Sequence, residues 1–132
     1  YKGDASAVCI FEMKNGCVFD YRGSWCAEGC GTTWEADWRA VYEKGTAICR
    51  DNNVFYEKVI EKPGFVREVE RVDVPGVVLE KTEHTACITD MLECLIAGKR
   101  AQTDCRDNIK SIAMVYAAIE SSRKQKKVKI TF

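Results

Sequence analysis

Over the first half of the chain, apolar residues alternate with polar ones in short runs separated by glycine, asparagine and proline. A period of two is the mark of half-buried strands. Residues 7–13 and 17–25 flank Lys14-Asn15-Gly16. Asn-Gly between two apolar runs predicts a hairpin, because both residues accept positive φ. A longer connection, CAEGCGTT (26–33), leads to a third strand over 34–42. EKGT (43–46) then turns into a strand at 47–50, and DNN (51–53) turns into another at 54–61. A further strand occupies 66–72.

The period changes after residue 80. Cys87, Ile88, Met91, Leu92, Leu95 and Ile96 recur at three-to-four spacing, which predicts an amphipathic helix closed by Gly98. Asp104, with Asp107 three residues on, predicts the start of a second helix that buries Ile109, Ile112, Ala113, Tyr116 and Ile119. Val128, Ile130 and Phe132 alternate as a short final strand. Strands first and helices after imply an α+β fold: a mostly antiparallel meander with two C-terminal helices packed on one face. The length of 132 residues suits a single domain over 1–132.

EKPGF (61–65) holds the one stretch where an acid and a lysine stand beside a rigid proline. Lys62 there could serve as an active-site base. Turn chemistry argues otherwise. Proline presets φ for the first central position of a turn, and glycine takes the positive φ that a type II turn needs at the second. Pro63-Gly64 is thus expected at a hairpin tip, with Lys62 in water.

Composition narrows the function classes. Twenty basic residues offset twenty acidic ones, which argues against a nucleic-acid surface. The run Arg123-Lys124-Gln125-Lys126-Lys127 reads as the solvated end of the last helix, where cations suit the dipole. No apolar run is long enough to span a bilayer, so no membrane partner is expected. The first residue is Tyr1, not Met, which suggests a processed protein or part of a longer one. Eight cysteines could form a disulfide framework. Yet Cys9 lies between Val8 and Ile10, and Cys87 and Cys94 fall on the helix face of Met91 and Leu95. Free thiols act there as small hydrophobes, so reduced cysteines and a cytoplasmic location are expected.

Candidate chemistry is sparse. Cys26 and Cys30 in CAEGC lack the two further ligands that zinc requires, and their spacing is not that of a redox pair. No metal site is expected. Trp25 and Trp34 bracket a loop with Thr32, Thr33 and two glycines, which could wall a polar small molecule. Simple packing of both tryptophans against sheet or partner is the other reading. His84, placed just before the first helix, has no acid or nucleophile beside it. Gly29-Cys30-Gly31 lacks a third glycine and a strand-turn-helix setting, so no cofactor site is legible.

HTACITDMLECLIAGKRAQTDCRDNIKSIAMVYAAIESSRKQKKVKI (84–130) resembles the closing segment of the Gfo/Idh/MocA oxidoreductases. Those proteins end in a helix, G-K/R, a T-D link, a helix ending A-I-x-S-S, and a basic run into V-x-I. FEMKNGCVFDYRGSW (11–25) and EADWRAVYEKGTA (35–47) resemble the same family's f-x-N-G hairpin and G-x-x-G-T turn, with Tyr42 in place of the first glycine. The match runs in order along nearly the whole chain. It implies a C-terminal domain without the family's dinucleotide-binding half, its E-K-P lysine or its D-x-x-x-H pair. The EKP at 61–63 lies mid-domain and is not the family motif. NAD or NADP is implied for the whole protein, with a sugar, inositol or related polyol as substrate. No catalytic residue is expected here. By position, Gly31, Thr32, Thr33, Trp34 and His84 are the substrate-facing candidates. The implied partners are an N-terminal domain and further copies of the chain through the Trp-bearing sheet face. A stand-alone, non-catalytic binding or assembly module and a secreted disulfide-linked domain are the alternatives.

Overall fold

The computed structural model describes residues 2–61 and 64–132. Six strands come first: β1 (Ser6–Glu12), β2 (Val18–Ser24), β3 (Trp38–Tyr42), β4 (Gly45–Arg50), β5 (Asn53–Val59) and β6 (Val69–Val74). Two helices follow, α1 (Glu83–Ile96) and α2 (Cys105–Lys124). This is the α+β order expected, with antiparallel pairing. The strands divide into two sheets rather than one, β1-β2 and β3-β4-β5-β6. The chain forms two compact units. One contains residues 1–8 and 21–78, the other 9–20 and 79–132.

Turn chemistry fixes the hairpins. Between β1 and β2, Gly16 N–H donates to Met13 C=O at 3.0 Å, and Met13 N–H donates to Cys17 C=O at 2.8 Å. Only Gly16 takes positive φ (84°), so the connection is the three-residue kind and Asn15 keeps negative φ. Its amide oxygen accepts from Cys17 N–H instead, at 3.1 Å. Asp51 and Asn52, at φ 49° and 61°, make a two-residue tip between paired Arg50 and Asn53. Side chains that tolerate the left-handed region are required there. Between β5 and β6, Val59 pairs with Val69 and Ile60 N–H donates to Glu68 C=O at 2.9 Å. Gly64 stands at the middle of that connection. Lys62 and Pro63 fall outside the described residues.

The predicted third strand is shorter than its apolar pattern. Ala36 N–H donates to Thr33 C=O at 3.1 Å and Ala36 takes φ 59°, so a turn occupies 33–36 and β3 starts at Trp38. In the four-stranded sheet, cross-strand partners share a face. Trp38, Cys49, Val54 and Val74 form one row, and Ala40, Ala47, Tyr56 and Val72 the next on the same face. The opposite face carries Arg39, Ile48, Phe55 and Asp73, with the Arg71 guanidinium 3.8 Å above the Phe55 ring. Tyr42, Gly45, Lys58 and Glu70 form the third row of the first face, so that face is apolar in two of its three rows and the other is mixed.

Helix α1 starts after Thr82, whose backbone is extended, and the first helical bond runs from Ala86 N–H to Thr82 C=O. His84 therefore lies inside the first turn, not before the helix. Its apolar stripe is intact but uncovered: Ile88, Met91, Leu92, Leu95 and Ile96 are all exposed. The half-buried side is Ala86, Thr89, Asp90 and Cys94. Cys94 is thus half-buried beside Asp90, while its neighbours Met91 and Leu95 are exposed. Asp104 caps α2 as expected, its carboxylate accepting from Arg106 N–H at 2.7 Å. Asp107 pairs with Lys110 rather than reaching back to the cap.

Of the α2 residues expected inside, Ile109, Ile112 and Tyr116 are exposed, and Ala117 alone is buried among the described residues. Residues 127–132 form no strand. Ile130 and Phe132 instead share with Ile109, Ile112 and Tyr116 an open groove of about 310 Å³ along α2.

The chain exposes 12386 Å². A compact monomer of its mass would expose about 7,000 Å², and two separate globules of half that mass about 8,500 Å² together. Exposed apolar side chains such as Val8, Trp34, Phe65, Val78 and Ile96 contribute to it.

Candidate functional site

The loop between β2 and β3 holds most of the residues singled out from sequence. It is anchored by Trp25 N–H donating to Ala5 C=O at 2.9 Å, which extends the β1-β2 pairing by one bond. Gly29 and Cys30 then take φ 74° and 47° and reverse the chain. The turn at 33–36 brings Trp34 back to Trp25. Their ring centroids lie 6.1 Å apart with the planes tilted by 58°.

Polar bonds hold the loop that carries the pair. The Thr33 hydroxyl donates to Asn52 Oδ1 at 3.3 Å, which ties the loop to the β4-β5 hairpin tip. Trp38 Nε1 donates to Glu35 C=O at 2.6 Å. Arg50 Nε donates to Asp37 at 2.9 Å, an exposed ion pair that contributes little stability by itself.

Beside this lies a thiol with unusual neighbours. Ser6 and Ser24 hydroxyls are 2.6 Å apart, and the Cys26 sulfur is 3.5 Å and 3.4 Å from them. These hydroxyls, Ser24 first, hold the Cys26 thiol below its ordinary pKa by hydrogen bonding to the thiolate. The opposite holds at Cys94. Desolvation, and then the Asp90 charge, push that thiol up. All eight cysteines carry free thiols.

The structure thus gathers Thr33 and Trp34 with Trp25 and Asn52 in the first unit. Gly31 and Thr32 lie in the same loop, both exposed. A Cβ at Gly31 would meet nothing within 4 Å, so no close approach explains that glycine. His84 belongs to the other unit, exposed in the first turn of α1. Asn52 was missed because its partnership with Thr33 spans 19 residues. The serine pair was legible in principle. A three-residue loop at 14–16 sets the register that places Ser6 across from Ser24.

Among the described residues, no group of three or more His, Cys, Asp or Glu side chains could hold a metal ion. A dinucleotide does not fit this loop either. Gly29 and Gly31 connect one strand to another, and no helix N-terminus follows to receive a pyrophosphate. No helix is long and apolar enough to cross a membrane among the described residues.

No family model matches the chain, and no solved structure matches it. The uncharacterized protein y4oX of Sinorhizobium fredii is 30% identical over 137 residues, which cover 98% of this chain. The chain spans 37% of the length of that curated relative.

Proposed function

We propose that this chain is the C-terminal substrate-binding and oligomerisation domain of a cytoplasmic NAD(P)-dependent oxidoreductase acting on a sugar, inositol or related polyol. The ordered resemblance of residues 11–25, 35–47 and 84–130 to the Gfo/Idh/MocA enzymes supports the family. The observation that carries the role is the surplus of exposed apolar surface described above. It is the property of a part made to be covered by other parts.

Two covers account for it. One is an N-terminal domain that holds the dinucleotide and supplies the catalytic lysine and histidine, since this chain's glycines do not suit the cofactor. The other is a second copy on the sheet face of Trp38, Val54, Tyr56 and Val74, all of them exposed here. A standard interface buries about 1,600 Å², well within the surplus. In this reading the chain's own residues bind and orient the polyol, while the nicotinamide, held upstream, does the redox step. The loop at 31–34 is the part of the first unit that faces substrate.

The test is to read the coding sequence before Tyr1. A strand, G-x-G-x-x-G and helix, followed by E-K-P and D-x-x-x-H, is the expected result. A start codon directly before Tyr1 would overturn it in favour of a stand-alone binding module.

A further inference from the structure

All three tryptophans of the chain lie within residues 25–38. Two of them lack the cover that so large an apolar side chain normally has: Trp34 is 89% exposed and Trp25 is 69% exposed. Their tilt of 58° and separation of 6.1 Å describe a corner between two rings, not a closed stack. Exposed indoles side by side mark a place where something binds.

The surroundings decide what. An apolar ligand or partner would strand the Thr33 hydroxyl and the Asn52 amide, which brings two N–H donors beyond its bond with Thr33. Anionic ligands are disfavoured by charge. Residues 26–37 contain Glu28, Glu35 and Asp37 and no lysine or arginine. Arg50 at the loop is paired with Asp37. This rules against phosphorylated compounds, and against the nucleic-acid strands whose bases also stack on tryptophan. What remains is a ring with C–H bonds on its faces and hydroxyls on its rim. The slightly positive C–H face meets the negative face of the indole, and an ammonium on the ring would add a cation–π contribution.

The geometry points to Trp25 and Trp34 as a stacking platform for a ring polyol, a sugar or cyclitol that is neutral or amine-bearing and not phosphorylated, with Thr33 and Asn52 binding its hydroxyls. This rests on the polyol reading above and names the charge class of the ligand and its anchors.

The test is calorimetric titration of the intact protein, without nicotinamide, using myo-inositol, glucosamine and glucose 6-phosphate as probes. Saturable binding of myo-inositol or glucosamine is expected, with glucose 6-phosphate at least about tenfold weaker. Trp34→Ala and Trp25→Ala should each weaken binding about tenfold. Trp34→Phe should recover part of the loss. Circular dichroism of each variant should match the parent, because both rings are exposed. Binding unchanged in both alanine variants, equal binding of the phosphate, or no saturable binding would each overturn the platform. Formation of reduced nicotinamide is a separate readout. Turnover with an unchanged KM in Trp34→Ala would overturn the platform and leave the oxidoreductase reading standing. Polyol binding that needs Trp34, in a protein with no turnover, would do the reverse.

Discussion

The Asp90 carboxylate, on the half-buried side of α1, accepts a hydrogen bond from Gln102 N–H at 2.8 Å. That bond folds the link at 97–104 back onto the helix it has just left. Cys87 and Thr103 add a weaker contact at 3.7 Å on the same link. Gly98-Lys99 and Thr103-Asp104 lie at the two ends of this link between α1 and α2.

Replacing Asp90 by alanine leaves the Gln102 N–H to water and should cost about 1 kcal/mol. Asp90→Asn keeps an acceptor and should cost less. Urea midpoints of the two variants measure the difference. Equal losses would mean that charge, not the acceptor, holds the link.

Gly45 is required by its neighbour, not by its own backbone. A Cβ there would stand 2.2 Å from the Glu57 carbonyl oxygen of β5. Gly45→Ala should therefore push β4 from β5 and cost about 2 kcal/mol or more. A thermal midpoint within a degree or so of the parent would refute this.

Asp104 satisfies an N–H at the start of α2 that has no partner within the helix. Asp104→Ala should cost about 1 kcal/mol, and Asp104→Ser should restore most of it. Helical circular dichroism on denaturation follows both.

The two perturbed thiols give a pH signature. Lowering the pKa raises the thiolate fraction at a given pH, so Cys26 should alkylate with an acid-shifted profile and Cys94 with a base-shifted one. Ser24→Ala removes the largest cause and should move the Cys26 profile to higher pH. Iodoacetamide labelling read by mass spectrometry resolves the sites. Identical profiles at Cys26 and Cys94, or no change in Ser24→Ala, would contradict the account.

Local chemistry was legible in the sequence wherever one residue type settles a conformation. Asp51-Asn52 and Gly16 mark their hairpins, and Asp104 marks its helix. The break at 33–36 was not legible, because its left-handed residue is Ala36 rather than a glycine or asparagine. That unmarked turn is what carries Trp34 out of β3 and against Trp25. In α1 the apolar stripe was read correctly, yet the covered side is that of Asp90 and Cys94. Periodicity shows which residues want cover, and it says nothing about what supplies it. The same limit applies to Ile109, Ile112 and Tyr116, which line an open groove with Ile130 and Phe132.

The most direct test of the account is to incubate the intact protein with NAD+ or NADP+ and a panel of neutral and amine-bearing sugars and cyclitols, and to follow the absorbance of reduced nicotinamide. The account predicts a rise with at least one of these polyols, and none from residues 1–132 alone. A protein that binds neither nicotinamide and oxidises none of the panel would contradict it.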